Sequence, residues 1–159
     1  MKGLEGRTAI VTGGSSGIGQ AIAVRLGHEG VNVAVNYVGP MEGAQATRDQ
    51  IDAGVRACLD EVNACPMPSR AILVEADVAD EAAVAAMFAK VRAELGPVDF
   101  LVNNAGIQIA RPSEELDPAD FDRVLAVNLR GAFLCAREQV RSALADDRPA
   151  SIVNISSVH

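Results

Sequence analysis

The stretch RTAIVTGGSSGIGQ, residues 7–20, decides how the rest of the chain is interpreted. Its first half, RTAIVTG, is a short run rich in β-branched residues and predicts a buried strand. Ile18, Ile22 and Leu26 follow at intervals of four residues, the spacing of the apolar face of a helix. A strand followed directly by a glycine-rich turn and a helix predicts the start of a β–α–β unit.

Three glycines in this turn, Gly13, Gly17 and Gly19, have the spacing G-x-x-x-G-x-G. Glycine permits a tight turn, lets a pyrophosphate approach backbone N–H groups and lets the helix pack closely on the strand. Ser15 and Ser16 either donate hydroxyl hydrogen bonds to a phosphate or cap the following helix. The turn therefore predicts a dinucleotide phosphate site, although turn formation alone would also account for its glycines.

Segments typical of strands and of helices alternate along the chain without hairpin turns. The alternation predicts a doubly wound α/β domain over residues 1–159, with a parallel sheet covered by helices on both faces. Such sheets bind ligands at the carboxyl ends of their strands, where the strand order reverses. The predicted strands cover residues 7–13, 31–37, 70–77, 98–106 and 150–157, the last as a buried strand. The helices predicted after the first cover about 43–63, 81–94, 117–127 and 129–144.

The composition narrows the classes of partner. The 159 residues carry a formal net charge of -7 and a pI near 4.8, so a surface for nucleic acid or anionic lipid is not expected. The chain shows neither a secretory leader nor a run of about 18 apolar residues that could span a membrane, which predicts a soluble cytoplasmic protein. Cys58, Cys65 and Cys135 lack metal-ligand spacing, and we expect reduced thiols and no metal site.

The residues after the second strand bear on the choice of nicotinamide cofactor. About 20 residues after the glycines, NAD sites usually place Asp or Glu, and NADP sites offer Arg or Lys nearby. This chain has Asn36, Tyr37 and Val38 there, and Ser16 in the glycine turn adds no basic group. We expect Asn36 to bond a ribose, and we expect weak discrimination between the cofactors with a preference for NAD.

Polar residues also follow the third and fourth strands. Asp77 either caps the next helix, in competition with Asp80, or contacts an adenine. Asn103 and Asn104, followed closely by Gly106, either form a simple turn or contact a ligand. Both groups fall at the sheet edge where a ligand is expected.

Five motifs, in this order, resemble the short-chain dehydrogenase/reductase family. They are TGGSSGIG (residues 12–19), DV (77–78), NNAG (103–106), Asn128 and ISS (155–157). The resemblance implies a Rossmann-type fold and an NAD- or NADP-dependent oxidoreductase that is commonly a homotetramer. It implies cofactor binding by Gly13, Gly17, Ile18 and Gly19 at the pyrophosphate, Asp77 and Val78 at the adenine, and Asn103, Ala105 and Gly106 at the ribose. Ser15, Ser16, Asn36 and Tyr37 complete the candidate cofactor residues.

Catalysis in this family uses Asn, Ser, Tyr and Lys, and the resemblance assigns the first two roles to Asn128 and Ser157. Ser157 would polarise the substrate oxygen and Asn128 would hold a water that links the lysine to solvent. A helix-interior amide bonded to its own backbone is the alternative for Asn128. Oxidation of an alcohol requires a base that takes the proton of the substrate hydroxyl. A phenol whose pKa is lowered by a neighbouring ammonium is suited to that role. Tyr37 is the only tyrosine and no Y-x-x-x-K occurs, so we expect the chain to be the N-terminal portion of the enzyme, truncated after the fifth strand.

Within the family, NLRGAFLCARE (128–138) and IVNISSVH (152–159) resemble the bacterial glucose 1-dehydrogenase subgroup. The resemblance implies a small alcohol, ketone or sugar as substrate, with Val158 and His159 beside the sugar. Two other interpretations remain open: a dinucleotide-binding module without turnover, and a half-domain that needs a partner chain. The presence of the tyrosine and lysine in the full gene would distinguish the enzyme from both.

Overall fold

The computed structural model describes residues 3–60 and 68–156, apart from the side chains of residues 58–60. The strands in these ranges are β1 (Thr8–Val11), β2 (Asn32–Tyr37), β3 (Ala71–Glu75), β4 (Phe100–Asn103) and β5 (Ser151–Asn154). The α-helices are α1 (Gly17–His28), α2 (Glu42–Asp60), α3 (Glu81–Leu95), α4 (Pro118–Leu125) and α5 (Ala132–Ala145). A 3-10 turn covers Ser113–Glu115, and a π-helical segment, Ala126–Gly131, joins α4 to α5.

All the strands run parallel in the order β3-β2-β1-β4-β5. The chain moves outward from β1 to β3 and then returns to the other side of β1, so the strand order reverses between β1 and β4. Every residue of β1 is buried, because strands flank it and helices cover both of its faces. The doubly wound parallel sheet predicted from the sequence is confirmed.

Alternate side chains of each strand enter two separate apolar layers. Ile10 and Leu101 belong to the layer that contains the buried residues of α3 and α5. Val11 and Val33 belong to the layer that contains those of α1 and α2. Packing on both faces holds the central strands in a fixed position, which also fixes where their carboxyl ends lie.

The apolar face predicted for α1 is interrupted at its first turn. Ile22 and Leu26 pack against the core, but Ile18 is 63% exposed. Ile18 lies in the first turn of α1, and it lines a surface cleft instead of the core. Helical spacing identified the helix correctly, but it does not show how far along the helix the core extends.

The helical region after β4 differs from the two separate helices predicted over 117–127 and 129–144. It is one continuous run, in which the π-helical segment 126–131 replaces the expected break. The wider turn of a π-helix takes up an extra residue without ending the helix. Val127 within it and Leu134 after it therefore both reach the same apolar layer.

β5 is less buried than predicted. It pairs with β4, and among the described residues it is the outer strand on that side of the sheet, with Val153 51% exposed. An apolar strand sequence does not reveal whether a further element covers it, and this explains the error. The predicted helix over 43–63 is confirmed to Asp60, and residues 61–63 lie outside the described residues.

Candidate functional site

A cleft of about 550 Å³ opens at the carboxyl ends of β1, β2, β3 and β4, where the strand order reverses. We call it the central cleft. It brings together every predicted cofactor residue except Gly19 and Asn103. Its lining residues are Gly13, Ser15, Ser16, Gly17, Ile18, Asn36, Tyr37, Val38, Ala76, Asp77, Val78, Asn104, Ala105, Gly106, Ile107, Arg123 and Val127.

The glycine turn after β1 is shaped by its backbone conformation and by contacts with β2. Gly13 and Gly17 have φ angles of +62° and +53°, in the left-handed region that favours glycine. The Gly13 N–H donates to Asn36 Oδ1 (3.2 Å), and the Gly14 N–H donates to the Asn36 carbonyl oxygen (2.9 Å). The protein therefore forms this turn from its own contacts.

The amino end of α1 lies at the cleft. Ser16 is the N-cap residue in an extended conformation, and within the described part of the chain its side chain makes no capping hydrogen bond. The structure therefore does not show the helix-capping role that was one alternative for Ser16. The first N–H groups of a helix have no intrahelical acceptors and carry partial positive charge. Gly17 and Ile18 are exposed beside them, so this end of α1 is suited to an anionic group such as a phosphate.

Gly17 and Gly19 have different structural roles. A Cβ atom on Gly17 would meet no atom of residues 3–60 or 68–156 within 4 Å, so Gly17 borders open space in the cleft. A Cβ atom on Gly19 would lie 2.4 Å from the Gly13 carbonyl oxygen and 2.4 Å from Asn104 Nδ2. Gly19 is therefore required for the packing of α1 against the turn, whereas Gly17 leaves space for a ligand.

Thr12 and Asn104 connect the ends of β1 and β4. Asn104 was predicted either to form a turn or to contact a ligand, whereas Thr12 had no predicted role. Thr12 Oγ1 accepts hydrogen bonds from the backbone N–H groups of Asn104 (2.9 Å) and Ala105 (3.0 Å). Asn104 Nδ2 donates to the carbonyl oxygens of Thr12 (3.0 Å) and Gly13 (3.2 Å). These bonds hold the glycine turn and the segment after β4 together as one wall of the cleft.

Asn103 does not line the cleft, although a ribose contact was expected of it. Its Nδ2 donates to the Ala132 carbonyl oxygen (3.2 Å) and to Asn154 Oδ1 (3.0 Å), and its buried Oδ1 has no hydrogen-bond partner among the described residues. Successive strand residues point to opposite faces, so Asn103 faces α5 and β5 when Asn104 faces the cleft. From the sequence, this alternation predicts only that one of the two neighbouring asparagines faces the cleft, and the structure identifies it as Asn104.

Asn36 is 1% exposed, and its side-chain amide forms hydrogen bonds with backbone groups of the protein. Its Nδ2 donates to the carbonyl oxygens of Val74 (3.3 Å) and Ala76 (2.9 Å), while its Oδ1 accepts from Gly13. These contacts favour a positioning role over the expected ribose contact. Tyr37 also lines the cleft but is largely buried, whereas Val38 beside it is exposed.

Asp77 lines the cleft, and it is Asp80 that caps α3. Asp80 Oδ1 accepts from the N–H groups of Ala82 and Ala83. Asp77 Oδ1 accepts from the Ala79 N–H (2.9 Å), and its Oδ2 accepts from Arg123 (2.9 Å). Burial alone would raise the pKa of Asp77, but the Ala79 N–H and the Arg123 guanidinium favour the charged form and hold the pKa below its usual value.

Val78 and Asn128 connect the cleft to the π-helical segment. Gly131 lies against Val78, since a Cβ atom on Gly131 would be 2.7 Å from Val78 Cγ2. Asn128 Oδ1 accepts from the Ile107 N–H (2.9 Å), and Asn128 Nδ2 donates to the Ile107 carbonyl oxygen (2.9 Å). The Asn128 amide therefore binds the segment after β4 instead of its own helix backbone, so the alternative role considered for it does not apply.

Three residues with predicted roles in catalysis or substrate binding, Ser157, Val158 and His159, lie outside the described residues. Burial raises the pKa of the Cys135 thiol to about 12, which makes this cysteine a poor nucleophile. Within residues 3–60 and 68–156 no three His, Cys, Asp or Glu side chains are grouped as metal ligands would be. No helix in the described part of the chain is long and apolar enough to cross a membrane.

Comparison with known proteins gives a consistent family. Residues 7–159 match the family model described as short chain dehydrogenase. A 3beta-hydroxysteroid dehydrogenase 1 from Eggerthella lenta is 40% identical over 98% of this chain, and glucose 1-dehydrogenase 2 from Bacillus subtilis is 36% identical over 99% of it. The 3-oxoacyl-acyl-carrier-protein reductase FabG from Staphylococcus aureus is 39% identical over 96% of it.

A solved structure supports the same assignment. A putative short-chain alcohol dehydrogenase from Sinorhizobium meliloti superposes with a TM-score of 0.83 at 39% identity, with 97% of this chain and 55% of that chain covered. The chain spans 55%, 57% and 56% of the three relatives from Eggerthella, Bacillus and Staphylococcus. It therefore corresponds to a little over half of each of these proteins.

Proposed function

Because the chain belongs to the short-chain dehydrogenase family, we propose that it forms the dinucleotide-binding part of an NAD- or NADP-dependent oxidoreductase. The observation that carries the proposal is the central cleft. It combines a preformed glycine turn, an uncapped helix start and polar side chains from three strand ends at the reversal of strand order. That combination is what a nicotinamide dinucleotide requires.

The residues present fit the cofactor at each part of the cleft. Gly17 borders open space beside the N–H groups of α1, where a pyrophosphate would be bound. Asp77 and Val78 would border the adenine, while Ala105 and Gly106 would border the ribose on the nicotinamide side. The cofactor supplies hydride transfer, and the described residues bind and orient it.

Arg123 is the single basic residue among the described residues that line the cleft, and it is paired with Asp77. A cofactor with a 2′-phosphate is usually matched by a basic residue that can bind that phosphate. Val38, exposed after β2, offers no charge. These features support the proposal of weak cofactor discrimination with a preference for NAD.

In the proposed reaction a hydride passes between the cofactor and a carbinol or carbonyl carbon of a small alcohol, ketone or sugar. Ser157 would donate a hydrogen bond to the substrate oxygen, where charge develops. Asn128 would fix the segment after β4 through Ile107 and so position the nicotinamide side of the cleft. A tyrosine and lysine of the family would handle the proton, and no Y-x-x-x-K occurs in the 159 residues.

The substrate is proposed only as a class. The relatives include enzymes named for a steroid, for glucose and for an acyl carrier protein, so family membership is compatible with several substrates. The terminal resemblance to glucose 1-dehydrogenases makes glucose the first candidate. The proposal is tested by measuring the activity of the full-length gene product with glucose, secondary alcohols and ketones. Each substrate is assayed with both cofactors, and the absorbance of reduced nicotinamide is followed.

Binding and turnover must be measured together in that experiment. We expect binding of NAD and turnover of at least one substrate class. A folded full-length protein that binds NAD without oxidising or reducing any of the substrates would favour the non-catalytic module. A preference for NADP above about a hundredfold in kcat/KM, near 2.7 kcal/mol, would contradict the expected cofactor preference.

A serine pair tests the catalytic assignment. Ser157→Ala should lower kcat by about a hundredfold and leave NAD affinity nearly unchanged, since the hydroxyl acts on charge that develops at the substrate oxygen. Ser156→Ala is the matched control and should have a small effect, because the family resemblance assigns the catalytic role to Ser157 and not to Ser156. A larger loss for Ser156→Ala would show that the serine assignment is wrong by one residue.

We also propose that the complete protein is a homotetramer. Leu125, Leu129 and Phe133 are exposed at intervals of four residues along the run from α4 to α5 and line one apolar groove. Exposed apolar surfaces of this kind commonly mark protein interfaces. Sedimentation equilibrium of the full-length protein tests the stoichiometry, and a monomer across the accessible concentration range would contradict it.

A further inference from the structure

The described residues that line the central cleft include two charged side chains, Asp77 and Arg123, and these pair with each other. Asp77 follows β3, whereas Arg123 lies on α4, and Arg123 Nη2 is 2.9 Å from Asp77 Oδ2. The pair joins two walls of the cleft that are distant in the sequence. Sequence motifs identified Asp77 but gave no reason to consider Arg123.

Both oxygens of the Asp77 carboxylate are held in place. The Ala79 N–H donates to Oδ1 and Arg123 donates to Oδ2. An ionised carboxylate offers about four lone-pair positions, so each oxygen can accept a further hydrogen bond. The carboxylate is therefore fixed in orientation, kept in its charged form and still able to accept from a ligand.

Stabilisation of the fold does not account well for this pair. The Asp77 and Arg123 side chains are 33% and 47% exposed, and exposed ion pairs contribute only about 0–1 kcal/mol. Arg92 is similarly exposed and pairs with Asp146 to join α3 to α5, but neither residue lines the cleft. Arg92 is therefore a matched control for any general effect of removing an arginine ion pair.

We propose that Arg123 is a cofactor-positioning residue, which holds the Asp77 carboxylate so that it accepts a hydrogen bond from the exocyclic amine of adenine. The inference rests on the proposed function, because it assumes that the adenine lies beside Asp77. Arg123 acts through Asp77 and need not touch the cofactor. A charged carboxylate that is already held in position binds an amine donor more tightly, because its side chain loses no conformational freedom when the ligand binds.

The test is a double-mutant cycle on NAD binding, measured by titration calorimetry on the full-length protein. Arg123→Met should weaken NAD binding by about tenfold, near 1.4 kcal/mol, and Arg123→Lys should recover part of the loss. Asp77→Ala should weaken it at least as much. In the Asp77→Ala background, Arg123→Met should cause no further loss of NAD affinity, because Arg123 acts through Asp77.

Two ligand comparisons separate this role from a direct contact. A dinucleotide in which purine replaces adenine lacks the exocyclic amine, and its affinity should change less than twofold in Arg123→Met. The loss should also be equal for NAD and NADP, whereas an arginine that binds a 2′-phosphate would affect NADP alone. Arg92→Met should leave NAD affinity unchanged, and thermal unfolding confirms that every variant is folded.

Several outcomes would overturn the inference. They are unchanged NAD affinity in Arg123→Met, tighter binding in that variant, or a loss that persists in the Asp77→Ala background. Failure of the proposed function would appear differently, because the unmodified full-length protein would then bind neither NAD nor NADP. The two failures are thus distinguished by the first titration.

Discussion

The central cleft is built from two kinds of segment, the glycine turn after β1 and the segments after β3 and β4, and these are held in shape in opposite ways. The turn depends on missing side chains: Gly13 and Gly17 adopt left-handed backbone angles, and Gly19 leaves room for a backbone carbonyl. The segments after β3 and β4 depend on side chains that bind backbone groups, as Asn128 binds Ile107. The glycine turn can therefore be damaged by adding atoms, and the segments after β3 and β4 can be damaged by removing them.

The largest effect is expected from Gly19→Ala. The added methyl group would lie 2.4 Å from the Gly13 carbonyl oxygen, so α1 or the turn must move. We expect a loss of about 3 kcal/mol in the free energy of unfolding, measured by chemical denaturation, because backbone cannot yield cheaply. Gly106→Ala is the control, since its added atom would meet Asn128 at an ordinary 3.5 Å. Equal losses of unfolding free energy in the two variants would contradict the contrast between the glycine turn and the segment after β4.

Gly17→Val should damage ligand binding more than folding. Its side chain would enter open space in the cleft, where we place the pyrophosphate. We expect NAD affinity to fall by at least about a hundredfold, near 2.7 kcal/mol. Gly39→Val is a close control, because Gly39 also has a positive φ angle (+80°) and open space but does not line the cleft. If both valines weaken binding equally, backbone strain and not blockage is responsible.

Thr12→Val tests the connection between the glycine turn and the segment after β4. The substitution removes the hydroxyl oxygen and nearly keeps the shape of the side chain. The partly buried N–H groups of Asn104 and Ala105 would lose their acceptor. We expect a loss of about 2 kcal/mol in stability, together with weaker NAD binding. Thr8→Val removes a hydroxyl that donates to the Leu95 carbonyl oxygen at the amino end of β1. It should reduce stability without changing NAD affinity, and a reduced affinity would contradict this division of roles.

The smallest effect concerns the dependence of stability on pH. The pKa of Asp77 is lowered in the folded protein, so its ion pair with Arg123 stabilises the fold above the unfolded-state pKa of about 3.9. That stabilisation is lost as the pH falls through the lower folded-state pKa. Because the pair is partly exposed, we expect a contribution below about 1 kcal/mol.

Comparison of the unmodified protein with Asp77→Asn isolates this contribution from those of other carboxyl groups. Thermal unfolding should show the difference between the two proteins at neutral pH and its disappearance in acid. A difference that grows as the pH falls would reverse the assigned sign. It would also show that the Asp77 carboxylate is not held as an anion by its neighbours.

The sequence by itself determined the fold class and the glycine turn. Alternating strand and helix patterns record local burial, and the positions of Gly13, Gly17 and Gly19 record where side chains are excluded. Both are local properties, so they can be recognised without knowing the distant neighbours. The exposed Ile18 marks the limit, because its spacing matches the apolar face of α1 although it lies at the cleft.

The tertiary structure decided which polar group meets which. Asn104 and not Asn103 lines the cleft, Asn36 is used inside the protein, and Asp77 is paired with Arg123, which lies 46 residues away in the chain. Asn128, in the π-helical segment, likewise binds Ile107, which lies 21 residues away in the chain. Periodicity reports whether a residue is buried, but a hydrogen bond also needs its partner at about 3 Å. That distance is set by the parallel sheet, which brings the ends of separate strands to one edge.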